Sequence, residues 1–118
     1  MGNLDQPATD TRVTEPTEEQ IVTIAQTYRL LGDPTRLRVL LACLVGPLPV
    51  NEIARRIDAS QSLVSHHLRL LRGARLVRGT RQTRQVLYQV DDEHIRHMLL
   101  DMTEHVREEV VELQAPRT

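Results

Sequence analysis

Apolar residues recur along this chain at helical spacing over four successive stretches, then gather in two short β-prone runs, then return to helical spacing. Thr17, ahead of Glu18 and Glu19, reads as an N-cap, and Ile21, Ile24, Ala25, Tyr28 and Leu31 follow as one face of a first helix. Gly32 stops that helix and Asp33-Pro34 starts the next, with proline at its first position. The run Leu37, Val39, Leu40, Leu41, Cys43, Leu44 predicts the most buried helix, ending by Gly46-Pro47. Pro49 opens a short helix carrying Val50, Ile53, Ala54 and Ile57. After a turn at Asp58-Ala59, Ser60 caps a fourth helix, QSLVSHHLRLLRG, closed by Gly73. Val64, Leu68 and Leu71 line its inner face, while Ser62, Ser65, His66 and Arg69 point away. Leu76-Val77 and Val86-Leu87-Tyr88 predict a hairpin; RGTRQTRQ between them lacks an Asn-Gly signal, so a longer loop is expected. A long last helix closes the order α-α-α-α-β-β-α, with Ile95, Leu99, Met102, Val106, Val110 and Leu113 as its apolar stripe.

Residues 1–16, rich in Thr, Asp and Pro without apolar periodicity, read as a disordered arm, residues 17–113 as one domain and residues 114–118 as a flexible tail. With no Phe or Trp and only two tyrosines in 118 residues, the core must be built from Leu, Val and Ile. No run is long enough for a membrane span and the N-terminus lacks an apolar signal region, so a cytoplasmic protein is expected. The single cysteine, Cys43, excludes an internal disulfide and a cysteine-rich metal site; in its apolar helix it reads as a buried, inert thiol.

Charge changes the picture, because the net −1 hides an uneven distribution. Residues 29–89 hold eleven arginines against three acids, net +8, while the flanks carry net −9. A basic middle between acidic ends suits a nucleic-acid-contacting core. A short helix, a turn and a second helix with an exposed polar N-terminal face form a helix-turn-helix, and the hairpin behind it adds a wing. In that arrangement Gln61, Ser62, Ser65, His66 and Arg69 reach base edges or phosphates, and Arg81 and Arg84 lie along the DNA backbone or minor groove. The plainer reading is a helical bundle with an unemployed hairpin. No nucleophile–base pair, phosphate loop or pair of catalytic carboxylates emerges, so an enzyme is not expected.

The last helix carries a second chemistry. His94 and His105 lie eleven residues apart, about 1100° of helical rotation, and so share a face, yet they stand about 16 Å apart along the axis. One chain therefore cannot close them on one ion. Asp92 pairs with Glu108, and His94 with His105, nearly symmetrically about position 100. A second copy running antiparallel would set Asp92 and His94 of one chain against His105 and Glu108 of the other, giving two metal sites per dimer. Two imidazoles and two carboxylates suit tetrahedral Zn(II), with Co(II) as its close analogue. Ni(II) would want further donors, and His97, Asp101 or Glu104 are candidates for one. The plain alternative is a solvated polar helix face.

The stretches LLGDPTRLRVLLACL, SQSLVSHHLRLLRGARLV and RQVLYQVDDEHI resemble the ArsR/SmtB family of metal-sensing transcriptional repressors, over roughly residues 20–110. The resemblance implies a mainly α, homodimeric winged helix-turn-helix whose first and last helices build the dimer interface. It implies a repressor that binds operator DNA without metal and leaves it when metal binds. One family site type uses a Cys-x-Cys-like motif in the helix before the recognition helix; here that helix reads VNEIARRID, without cysteine. The other lies across the last helices, and Asp92, His94, His105 and Glu108 match it in type and spacing. The expectation is thus a Zn(II)-responsive repressor of metal-homeostasis genes. The alternatives are a Ni(II)/Co(II) sensor of the same fold, a winged-helix regulator that does not sense metal, and a dimeric interaction module without DNA function.

Overall fold

The computed structural model describes residues 14–114, with side-chain burial described as far as Glu108. The helices are α1 (Glu18–Leu31), α2 (Pro34–Ala42), α3 (Val50–Ile57), α4 (Gln61–Gly73) and α5 (Glu93–Gln114); between the last two lie strands β1 (Val77–Gln82) and β2 (Gln85–Val90). The arm expected over 1–16 and the tail over 114–118 fall, but for residues 14–16 and 114, outside the described residues.

Local chemistry sets the helix starts. Thr17 and Gln20 form a reciprocal capping box at α1, and the side chains of Asp33 and Ser60 accept the N–H groups of Arg36 and Leu63 at α2 and α4. Pro34 occupies the first turn of α2, where a missing N–H costs nothing. Asp58 ends α3 in the left-handed region, φ 57°, a conformation that a short polar side chain tolerates.

The core is aliphatic. Val39, Leu40, Cys43, Ile53, Val64, Leu68, Leu71, Leu76 and Val77 are essentially inaccessible, and each large side chain contributes about 1.5–3 kcal/mol by leaving water. Only Pro34 and Arg38 of α2 are exposed, while α4 packs against α2, α3 and β1 with one face and so buries Val64, His67, Leu68 and Leu71. Burial pushes the Cys43 thiol up to about 12, which removes the thiolate that oxidation chemistry needs.

The wing is tighter than the sequence suggests. β1 and β2 pair antiparallel from Val77↔Val90 to Gln82↔Gln85, so only Thr83 and Arg84 turn the chain. The expected longer loop does not exist: the polar residues themselves form strand, and Thr83 supplies the positive φ, 57°, that Asn or Gly usually provides. Leu48 adds a short bridge to Tyr88, with hydrogen bonds of 3.0 and 2.8 Å, and so ties the α2–α3 connection to the wing. Tyr88 also lies across Gly79, where an added Cβ would sit 2.8 Å from Val86 Cγ1 and 3.0 Å from Tyr88 Cε1.

Two helix faces are left uncovered. α1 has no buried residue, and its Ile21, Val22, Ile24 and Tyr28 are each at least 45% exposed. The stripe of α5 divides: Ile95 and Leu99 pack on the core together with Met98, whereas Leu100, Met102 and Val106 stand in solvent. Val110 and Leu113 fall where side chains are not described.

Candidate nucleic-acid interface and metal centre

The candidate reading face lies on α4. Gln61, Ser62, His66 and Arg69 are exposed and Ser65 is half-buried, while the opposite side of the helix enters the core. The separation follows from helical periodicity, because Val64, Leu68 and Leu71 repeat at spacings of four and three. Arg81 sits exposed on β1 and Arg84 in the turn. The structure adds residues that sequence spacing did not single out. A cleft of about 200 Å³ between α4 and the wing is lined by Ser65, Leu68, Arg69, Arg72 and Tyr88. Arg72 is one turn beyond Arg69 and could have been found from that spacing; Tyr88 reaches the cleft only through the strand pairing.

Not every arginine of the basic middle is free. Arg55 and Arg56 both pair with Glu52 on α3, and these hydrogen bonds, from Arg55 first, hold the Glu52 carboxyl down to about 2. Arg36 is turned inward, and Arg78 Nη1 donates to the Asp91 carbonyl at 3.1 Å. Arg69, Arg72, Arg81 and Arg84 stand exposed on α4 and the wing, and Arg29, Arg38 and Arg75 are exposed elsewhere.

At the start of α5, Asp92 has two tasks. Its Oδ1 accepts the Ile95 N–H at 3.0 Å, capping the helix, and its Oδ2 stands 3.8 Å from His94 Nδ1. The cap fixes the carboxylate orientation, and both side chains face solvent, His94 at 96% exposure. Two donors about 2.0 Å from a tetrahedral zinc ion lie about 3.3 Å apart, so this pair needs a movement of only about half an ångström. His105 and Glu108, three residues apart on the same helix, are exposed as well. Among the described residues of a single chain, no three His, Cys, Asp or Glu side chains converge. That agrees with the 16 Å or so of helix axis between the two half-sets. His97 turns to Glu93, 3.7 Å away.

Helix-turn-helix, two-stranded wing and long final helix define a winged-helix DNA-binding fold. The profile described as "Bacterial regulatory protein, arsR family" matches residues 33–78, from the cap of α2 to the start of β1. HTH-type transcriptional regulator NmtR of Mycobacterium tuberculosis is 40% identical over 82 residues, which cover 70% of this chain and 68% of that protein. A transcriptional repressor SmtB homolog of Synechocystis is 36% identical over 90 residues, 76% of this chain and 68% of the other. The fold is shared with a homodimeric winged helix-turn-helix DNA-binding domain from Mycobacterium bovis, a possible ArsR-family transcriptional regulator, at a TM-score of 0.72 and 20% identity, over 87% of this chain and 97% of that one. The chain belongs to the arsR family of bacterial regulatory proteins, a family of transcriptional regulators and not of enzymes. No described helix is long and apolar enough to cross a membrane.

Proposed function

We propose that this protein is a cytoplasmic, homodimeric, Zn(II)-responsive transcriptional repressor whose metal-free form binds operator DNA. The observation that carries the reading is the α5 donor set. Asp92, held by its cap, and His94 stand 3.8 Å apart at one end of an exposed helix face, and His105 and Glu108 lie farther along it, out of reach of the first pair within one chain. The exposed apolar residues of α1 and α5 supply the surface on which a second copy would bring the half-sets together, and the homodimeric state of the fold neighbour accords with this. Softer Cu(I) would want thiolates, and the only cysteine is buried.

When bound, zinc would cross-link the first turn of one α5 to the later turns of the partner's. This chain's own contacts supply the coupling. Arg96 Nη1 donates to the Leu44 carbonyl beyond α2, at 3.1 Å, and Arg78 ties the Asp91 carbonyl to β1. A shift at the start of α5 is therefore felt by α2 and by the wing, and through them by α4. By linkage the effect is reciprocal: DNA weakens metal binding by the same factor. Because histidine must be deprotonated to ligate, zinc uptake weakens as the solution is acidified.

The test is a mobility shift with and without zinc, using a duplex selected by the metal-free protein from random sequence. Saturating zinc is expected to weaken binding by about 5–150-fold, the ordinary span of allosteric couplings. Unchanged affinity would leave a DNA-binding regulator that does not sense zinc, and no binding under any condition would leave the interaction module. The Co(II) absorption spectrum is expected to show the intense bands of four-coordination. Weak six-coordinate bands would instead favour a nickel or cobalt sensor that recruits His97, Asp101 or Glu104. Within this reading, Arg81→Ala is expected to weaken all duplexes alike and to reduce the slope of log K against log salt by about 0.9, the value for one lost phosphate contact. A selective loss on one sequence would place Arg81 at a base edge.

A further inference from the structure

His67 is the only buried polar or charged residue among those described, 6% exposed, and it sits in the middle of α4, one position from the exposed His66. Its Nδ1 accepts a hydrogen bond from Arg36 Nε at 3.3 Å, across 31 residues of sequence. An accepting Nδ1 requires the neutral imidazole with its proton on Nε2. Arg36 in turn donates through Nη1 to the Leu30 carbonyl in the last turn of α1, at 3.1 Å, and its N–H donates to Asp33 Oδ2, at 2.8 Å. One guanidinium thus joins the exposed apolar helix α1, the start of α2 and the centre of α4. The ring of His66 stands edge-on to that of His67, with centroids 5.3 Å apart, so the setting of the outward histidine depends on the inward one.

We propose that His67 is a positioning residue for DNA reading: as a neutral acceptor for Arg36 it locks α4 to the end of α1, and its protonation releases that lock. The inference rests on the DNA-binding reading above. Protonation would convert the acceptor into a donor facing a guanidinium donor, two positive charges with little water between them. The groups around His67 are Arg36 and Asp33 from the α1–α2 corner and His66 on its own helix; Asp33 favours the charged ring, and burial, Arg36 and His66 oppose it. Burial, the largest of these, lowers the pKa from the ordinary 6.5, so the folded chain keeps the ring neutral where the unfolded chain would protonate it. The lock is therefore complete above the unfolded value of about 6.5 and is lost as pH falls through the lower folded value. Acid thus has two opposed effects on DNA occupancy: it weakens DNA reading by the metal-free protein, while by weakening zinc binding it returns protein to that metal-free form.

The experiment uses the full-length chain with excess chelator and the selected duplex, followed by anisotropy from pH 8 to 5.5, beside an unrelated duplex of equal length. The wild-type protein is expected to lose at least fivefold in affinity for the selected duplex over that range without a matching loss on the unrelated one. His67→Gln keeps an acceptor for Arg36 but cannot titrate; it is expected to bind within about twofold of wild type at pH 7.5 and to show a flat profile. His67→Leu leaves Arg36 unpaired and is expected to bind weakly at every pH. A His67→Gln profile that falls as the wild type's does, or a His67→Leu chain that binds as tightly as wild type, overturns the proposal. So does a wild-type profile that is flat although binding is tight, which leaves the DNA reading intact. A wild-type chain that binds no duplex overturns both. Should either variant fail to fold, imidazole nitrogen shifts of the wild-type protein decide instead: a proton on Nδ1 of His67 at pH 7.5 would refute the lock.

Discussion

Replacing His105 by alanine is expected to lower zinc affinity at least 100-fold and to leave operator binding by the metal-free protein within a factor of two. The expected effect is large because the proposed site has only four donors and His105 is one of them. Removal of a mere outer-shell partner of a metal ligand already costs about 10–100-fold, and here the coordinating nitrogen itself disappears. The proposed site would then be left with Asp92, His94 and Glu108, an oxygen-rich set of three that zinc would complete with water. DNA binding should survive because His105 is exposed on α5 and belongs neither to the core nor to the α4–wing face. Zinc titration against a chelating indicator, followed by the mobility shift at saturating zinc, checks both halves. Tight zinc binding and full release from DNA in His105→Ala would show that the ion is held elsewhere. His97→Ala is the natural companion, because His97 is turned to Glu93 and should leave zinc affinity nearly unchanged.

The helix-turn-helix and the common side of His94 and His105 are both legible in the sequence because each rests on the periodicity of single helices. Apolar spacing in QSLVSHHLRLLRG separates its two faces, and the eleven-residue interval from His94 to His105 places both on one side of α5. What was not legible is what depends on contacts between elements. The wing turn lacks the residues that usually mark a tight hairpin, since Thr83 takes positive φ without help from Asn or Gly, and pairing out to Gln82↔Gln85 imposes it. The adjacent histidines of α4 are alike in sequence, yet one faces solvent and the other the core; only Arg36, thirty-one residues earlier, makes the buried position chemically acceptable. The ties from Arg96 to Leu44 and from Arg78 to Asp91 end on backbone carbonyls, which no side-chain pattern reveals. These contacts tie the start of α5 to the end of α2 and to the wing, so single helices can be read from the sequence while the ties between them need the fold.

Introducing a charge at the uncovered face of α1 is expected to have the other large effect. Ile24→Glu should leave each protomer folded, because α1 contributes no buried residue, and should raise the dimer dissociation constant by at least 100-fold. Burial of an isoleucine is worth about 1.5–3 kcal/mol, and a carboxylate forced into an apolar interface without a partner adds a further penalty of about the same order or more. Together these exceed the roughly 2.7 kcal/mol that corresponds to 100-fold at 25 °C. Two consequences separate this substitution from a general loss of stability. The far-UV spectrum at micromolar concentration should remain helical while sedimentation shows a monomer. On the proposed ligand set, zinc affinity should fall along with operator affinity, although Ile24 is not among the proposed donors, because each site would need Asp92 and His94 from one chain and His105 and Glu108 from the other. Operator binding fails for a geometric reason, since two recognition helices must be held about one helical turn of DNA apart, roughly 34 Å, to enter successive major grooves. A monomeric Ile24→Glu protein that still bound zinc tightly would mean that α5 closes its metal site within one chain, against the length of its own helix.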